Sequence, residues 1–212
     1  MCDIYLYMRH VKNIYYTVVA LVAMLIAMSC SNENDSVLTQ QQSSIERYLK
    51  NSHNPRLINE EELAQSIEEE PQFYTRWGMD TYRYIATYYD EGRQNKTEIA
   101  YGTTFDITYT AYIFSGSKPT TAEMYATNNE ESIEELRKLG LNTSYEWTTE
   151  PMRITLGQSN LLSGLETALQ GCREDDEVEI YLTYEVANGK HYVGKVPSKS
   201  AVVWMIKIVN VE

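Results

Sequence analysis

Side chains able to do covalent or metal chemistry are few in this 212-residue chain. The three histidines, His10, His53 and His191, lack the spacing of a metal-ligand set. No Ser, His and Asp grouping suggests a nucleophilic triad, and no cofactor or metal is implied. The cysteines are Cys2, Cys30 and Cys172. Tyrosine is the abundant functional group, with eighteen copies. It suits half-buried strands and binding surfaces, so it points to β structure and a recognition face.

The elements that would position such residues begin with a leader. Arg9, His10 and Lys12 form a basic region, and an apolar run follows from about Tyr15 to Met28. The run is shorter than the roughly 20 apolar residues that cross a bilayer core. A basic region, a short apolar region and small residues before a break read as a secretory signal over residues 1–29. The break, Ala27-Met28-Ser29-Cys30, resembles the lipobox of bacterial lipoproteins, although the family usually has Leu where Ala27 stands. That resemblance implies a lipid on Cys30 and anchorage in the cell envelope, at the outer membrane or cell surface. Glu33 and Asp35 resemble a surface-export signal that follows the lipidated cysteine in some bacteria. With Cys2 cleaved and Cys30 lipidated, Cys172 is alone and no internal disulfide forms. The exported part must stand on its hydrophobic core.

The formal net charge is −12, and removing Arg9, Lys12 and Asp3 leaves the remainder one unit more acidic. Such a surface excludes nucleic acid, whose phosphates call for clustered Lys and Arg. It also excludes a polybasic hold on anionic lipid. Charge says nothing of oligomeric state.

Residues 30–42 are polar and read as a flexible tether. Residues 43–75 read as a helical N-terminal segment. Ile45, Tyr48 and Leu49 share one face, and a second helix starts at Asn59 with Leu63 and Ile67 at helical spacing until Pro71. From about Tyr82 the texture turns to strand. Phe105, Ile107, Tyr109, Ala111 and Ile113 alternate with Asp106, Thr108, Thr110 and Tyr112, the mark of a half-buried strand. Ile133 and Leu136 are helically spaced before Gly140, a candidate C-terminal cap. Ser159 or Asn160 is placed to cap a helix carrying Leu161, Leu165, Ala168 and Leu169. Alternating strands follow at Val178–Tyr184 and Ala201–Val211. The predicted class is α+β, with an antiparallel sheet around one central helix.

From about Thr104 onward the order of motifs resembles the FKBP-type peptidyl-prolyl isomerases. The stretch PMRITLGQSNLLSGLETALQGCREDDEVEIYL resembles the family's central strand, Leu-Gly turn, helix and strand. Thr108-Tyr109-Thr110 is similar to its His-Tyr-Thr-Gly strand, and Tyr125-Ala126-Thr127-Asn128 to its Phe-Asp-Ser. Val196-Pro197 and the closing AVVWMIKIVNVE are similar to its Ile-Pro and last core strand. The resemblance implies an FKBP-like domain over 82–212, interrupted by an insertion at about 129–150. It also implies binding of proline-containing polypeptide segments and extracytoplasmic prolyl isomerisation that assists folding.

Carried over residue by residue, the resemblance makes Tyr109 and the backbone N–H of Leu162 the catalytic donors. Tyr125, Met152, Leu161, Leu165, Val196 and Trp204 become the substrate-binding wall. Tyr125, Met152 and Trp204 each stand where the family has Phe. Three positions depart: Ala126 replaces an Asp, Leu165 a floor Trp, and Asn188 a second Tyr. Losing preorganised donors slows enzymes, so the departures imply weak activity. The alternative reading is a catalytically degenerate FKBP-like chaperone.

Overall fold

The computed structural model describes residues 35–141 and 146–212. The signal region, Cys30 and the first residues of the expected tether lie outside them. A helix, α1, covers residues 35–51. Residues 35–42, before the expected Ser43, are therefore helical rather than a loose tether. Arg47 and Lys50 near its end complement the helix dipole. Two polar residues of the stretch are held by the rest of the fold. The Gln41 side chain accepts from Tyr184 N (2.9 Å) and donates to Lys199 O (2.8 Å), and Gln42 donates to Asp80 (3.2 Å).

Eight strands follow in one sheet: β1 (Ile58–Asn59), β2 (Phe73–Trp77), β3 (Thr81–Ile85), β4 (Thr104–Ile113), β5 (Met124–Thr127), β6 (Met152–Thr155), β7 (Glu177–Leu182) and β8 (Val202–Val211). The order is β1-β2-β3-β7-β8-β4-β5, with β6 also on β4. All pairings are antiparallel except the two-residue β1–β2 contact. Two α-helices complete the set, α2 (Glu130–Lys138) and α3 (Ser163–Leu169). The class is α+β, consistent with an FKBP-like fold.

Strand alternation sends side chains to two cores. On one face Leu165, Ala168 and Leu169 of α3 pack on Phe105, Ile107, Ile180 and Ile206. On the other face Ile45, Tyr48 and Leu49 of α1 pack on Tyr82, Phe114, Tyr181 and Val203. The central strands are thus covered on both sides. The expected helical segment at 43–75 is not separate from the domain. It supplies α1 and also β2, whose Tyr74 and Thr75 pair with Tyr84 and Arg83 of β3. The second predicted helix is only a 3-10 turn over Glu60–Gln65 that buries nothing, and Ile67 is fully exposed. Asn59 does cap it, accepting from Glu61 N.

Two devices seat α3. At Gly164 an added Cβ would lie 2.4 Å from Leu182 Cδ2, so the helix approaches the sheet as closely as only glycine allows. Arg83 of β3 donates to the carbonyls of Ala168 (2.7 Å) and Gln170 (2.6 Å) at the helix end, where partial negative charge gathers. Its guanidinium lies 4.7 Å from the Trp77 ring centroid. Cys172 is a buried free thiol beside this end, and burial pushes its pKa up to about 11. Such a thiol is inert.

The insertion leaves β5 and returns at β6, both on the same edge of β4. Thr110 pairs with Thr127 of β5, and Ile107 with Met152 of β6. Asn128 fills the gap between them. Its Oδ1 accepts from Tyr109 N (2.6 Å), and its Nδ2 donates to Ile107 O (3.1 Å) and Glu150 O (3.0 Å). Helix α2 is capped by Asn129, which accepts from Ser132 N. It buries Ile133 and Leu136, and Gly140 follows its C-cap Leu139 with a φ of +68°.

Candidate functional site

A cavity of about 440 Å³ opens where β5, β6, the approach to α3 and β8 meet. Each wall has a structural cause. Turning at Gly157 (φ +81°), the chain leaves β6, and Ser159 Oγ accepts from Thr155 N at 2.9 Å. That hydroxyl is therefore spent on the turn, and α3 starts later than Ser159 or Asn160 would predict, with Leu162 at its N-cap. Residues 160–162 run into the helix and line the cavity with Leu161 and Leu162. The Leu162 backbone is extended (φ −61°, ψ 137°), and among the described residues no backbone carbonyl accepts its N–H. The first N–H groups of a helix have no intrahelical partner, so a donor at this point is left for another acceptor.

Opposite stand Tyr125 and Ala126 of β5, Met152 of β6 and Trp204 of β8. Trp204 stacks on Tyr109, with ring centroids 4.7 Å apart and planes at 25°. Tyr125 meets the Trp204 ring edge-on at 6.4 Å and 76°. Burial pushes the Tyr125 phenol pKa up, and the neighbouring indole opposes it. Both the Tyr125 hydroxyl and the Trp204 indole N–H are sealed from water.

The remaining wall is the loop between β7 and β8, which presents Asn188, Val193 and Gly194. Lys195 latches it to the start of β5, donating to Ala122 O (2.7 Å) and Met124 O (3.0 Å). Tyr192 and Val193 at the tip stay exposed. A second cleft of about 620 Å³ adjoins, sharing Tyr125, Ala126, Met152, Gly194 and Lys195. Trp147, Glu150 and Pro151 of the insertion form its far side.

Six of the eight residues expected at the pocket meet at the cavity: Tyr125, Met152, Leu161, Leu162, Leu165 and Trp204. Leu165 is only 1 % exposed and belongs mainly to the core, so the floor lies deep. Tyr109 backs Trp204 and lines the adjoining cleft. Val196 does not line the cavity. It is fully buried and exchanges backbone hydrogen bonds with Val193 (2.9 and 3.1 Å), which shapes the loop. Lys195 and Trp147 escaped the sequence reading. A surface lysine in a Gly-containing loop carries no signal of the carbonyls it will meet.

Residues 137–209 match the family model described as FKBP-type peptidyl-prolyl cis-trans isomerase. The match covers about a third of the chain, and that stretch resembles the family. The matched stretch begins within α2 and runs through β6, α3, β7 and most of β8. It contains Met152, Leu161, Leu162, Leu165, Val196 and Trp204, whereas Tyr109 and Tyr125 precede it. No curated protein matches the chain. FKBP domains bind proline-containing peptides, and the match supports a peptidyl-prolyl isomerase-like function for this FKBP-like domain.

Proposed function

We propose that the chain is an extracytoplasmic prolyl isomerase of reduced activity, anchored in the cell envelope through a lipid on Cys30. The observation that carries the reading is the apolar cavity at the N-terminus of α3, lined mostly from within the family match. Rotation about the prolyl amide faces a barrier of about 20 kcal/mol from resonance. The planar amide is the more polar form, because its carbonyl oxygen holds charge drawn from nitrogen. As the bond twists, that charge returns to nitrogen. A water-poor wall of Met152, Leu161 and Leu162 therefore disfavours the planar form relative to the twisted one, which is differential binding of the transition state. The Leu162 N–H holds the flanking peptide in place. No nucleophile or cofactor enters this chemistry. Reduced activity follows from Ala126 and Asn188, which put no acid or phenol at the cavity wall.

A protease-coupled isomerisation assay on the purified full-length chain tests the reading. A catalysed rate above background supports it, and a rate at background from folded protein overturns it. The location has its own test: Cys30→Ser should abolish both lipid labelling and recovery with membranes. Persistence of either refutes the anchor. The second reading, a chaperone without catalysis, draws on the adjoining cleft, where the insertion places Trp147 beside the cavity. It predicts that Trp147→Ala weakens binding of an unfolded, proline-free client. Unchanged binding removes that reading.

A further inference from the structure

The cleft beside the cavity is the larger of the two, about 620 Å³ against about 440 Å³, and they share five lining residues. Ala126 is one of the five. Where the resemblance has an Asp, only a methyl group stands on the common wall, so an extended chain can lie along both spaces. The far side of the cleft comes from the insertion and the strand it enters. Half-buried Trp147 and Met152, with Pro151, supply apolar surface, and exposed Glu146 and Glu150 supply two carboxylates. Glu150 is placed by the sheet, because its carbonyl accepts from Asn128 Nδ2 (3.0 Å) and its N–H donates to Thr148 Oγ1 (3.2 Å). Among the described residues no Lys, Arg or His lies within 4 Å of either carboxylate. The lysine on the cleft, Lys195, is engaged by the carbonyls of Ala122 and Met124.

We propose that the cleft is a subsite for a Lys or Arg side chain of the bound polypeptide, a few residues from the proline in the cavity, with Glu146 and Glu150 as its specificity determinants. This rests on the prolyl-peptide reading of the cavity. Apolar surface flanked by negative charge suits one kind of side chain. Lys and Arg lay a methylene stem on apolar groups and keep the charged head in water. An acidic residue is repelled there, and a neutral one gains nothing from the carboxylates. Residues of an extended chain advance about 3.3 Å each, so adjoining spaces receive residues close in sequence. The subsite is built from the insertion, so it belongs to this chain's own elaboration of the domain. Its charges stay hydrated, and two exposed carboxylates together amount to about a fivefold preference at low salt.

The test uses full-length protein in detergent and blocked peptides that contain one proline. Each carries a single Lys at a different place, from about three residues before the proline to three after, and each has a Gln twin. Binding is read by fluorescence anisotropy, and turnover by the isomerisation assay. The subsite predicts that one placement favours Lys over Gln about fivefold, and that the ratio falls toward one at about 0.5 M salt. A Lys placed about ten residues away should show no preference, which separates a local subsite from attraction to the acidic chain as a whole, whose net charge is −12. Glu146→Gln/Glu150→Gln should abolish the preference, and Glu146→Lys/Glu150→Lys should transfer it to Glu. If the peptides bind or turn over with no regard to charge, or the preference survives Glu146→Gln/Glu150→Gln or is equal at every placement, the subsite is wrong and the isomerase reading stands. If folded protein neither binds nor turns over any peptide of the series, both fall. The scan of placements needs no variant, so a misfolded variant leaves the test intact.

Discussion

Replacing Asp176 by Ala should be among the most damaging single changes in the domain. Asp176 is 1 % exposed, and Arg93, its partner, is 5 % exposed. The contact is bidentate, with Nε to Oδ1 and Nη2 to Oδ2 both at 2.7 Å. The same carboxylate accepts from Arg173 N at 2.8 Å. The substitution leaves a buried guanidinium without its counter-charge and a main-chain N–H without its acceptor. Breaking one side of a buried pair costs about 3–5 kcal/mol. A domain of this size loses about 2–4 °C in Tm per kcal/mol, so a drop on the order of 10 °C is expected. Thermal unfolding followed by circular dichroism, with a urea titration at 25 °C, measures it. The double variant Arg93→Met/Asp176→Leu should recover much of the loss, because it removes the orphaned charge as well as the pair. A fall of less than about 3 °C for Asp176→Ala, or a double variant no better than the single, would refute the assignment of the loss to an uncompensated charge.

Three further outcomes are expected. Leu162→Pro deletes the candidate substrate donor at a backbone φ of −61° that proline adopts readily; kcat/KM should fall about 10²-fold with little change in Tm, and an unchanged rate relative to Leu162→Ala removes the donor from the mechanism. Ile45→Ala and Leu49→Ala, at fully buried positions on α1, should each cost about 2–5 kcal/mol in urea unfolding, whereas a dispensable N-terminal segment would show almost none. His53 is desolvated, which lowers its pKa, but the hydrogen bond and charge of Glu179 and the Pro55 carbonyl outweigh this and raise it. A raised folded pKa gives stability that is full below the unfolded value of about 6.5 and lost as pH rises through the folded value. The Tm gap between unaltered protein and Glu179→Gln should therefore shrink from pH 6 to pH 9, and a pH-independent gap would exclude the linkage.

The strands nearest the cavity were the most legible. Period-two alternation in β4, β7 and β8 marks which side chains face α3, because a one-residue slip would send every one of them to the other face. Strand β2 was not legible: FYTRW has no clean alternation, and its place depends on β3, whose partner β7 is about a hundred residues away. Helix α1 was underestimated for the opposite reason. Gln41 and Gln42 look like tether residues, and the groups they bond, Tyr184 N, Lys199 O and Asp80, lie far along the chain. Leu63 and Ile67 had helical spacing with nothing to pack on. At the site, aliphatic and aromatic residues could be placed by motif order. Whether Val196 faced cavity or core turned on a loop hydrogen-bond pair with Val193, which no side-chain pattern encodes.

Asn128 has a consequence for how this sheet tolerates change. Because its side chain supplies the strand contacts that β5 and β6 leave unmade, β4 meets a nearly unbroken neighbour whatever is threaded between Thr127 and Met152. The two ends of the insertion are held side by side by the sheet itself. Lengthening a loop between fixed ends costs only about 0.6 kcal/mol per doubling. The position therefore works as a graft port: foreign segments could be spliced in beside the cavity, and a new binding specificity acquired, without renegotiating the core that holds the cavity open.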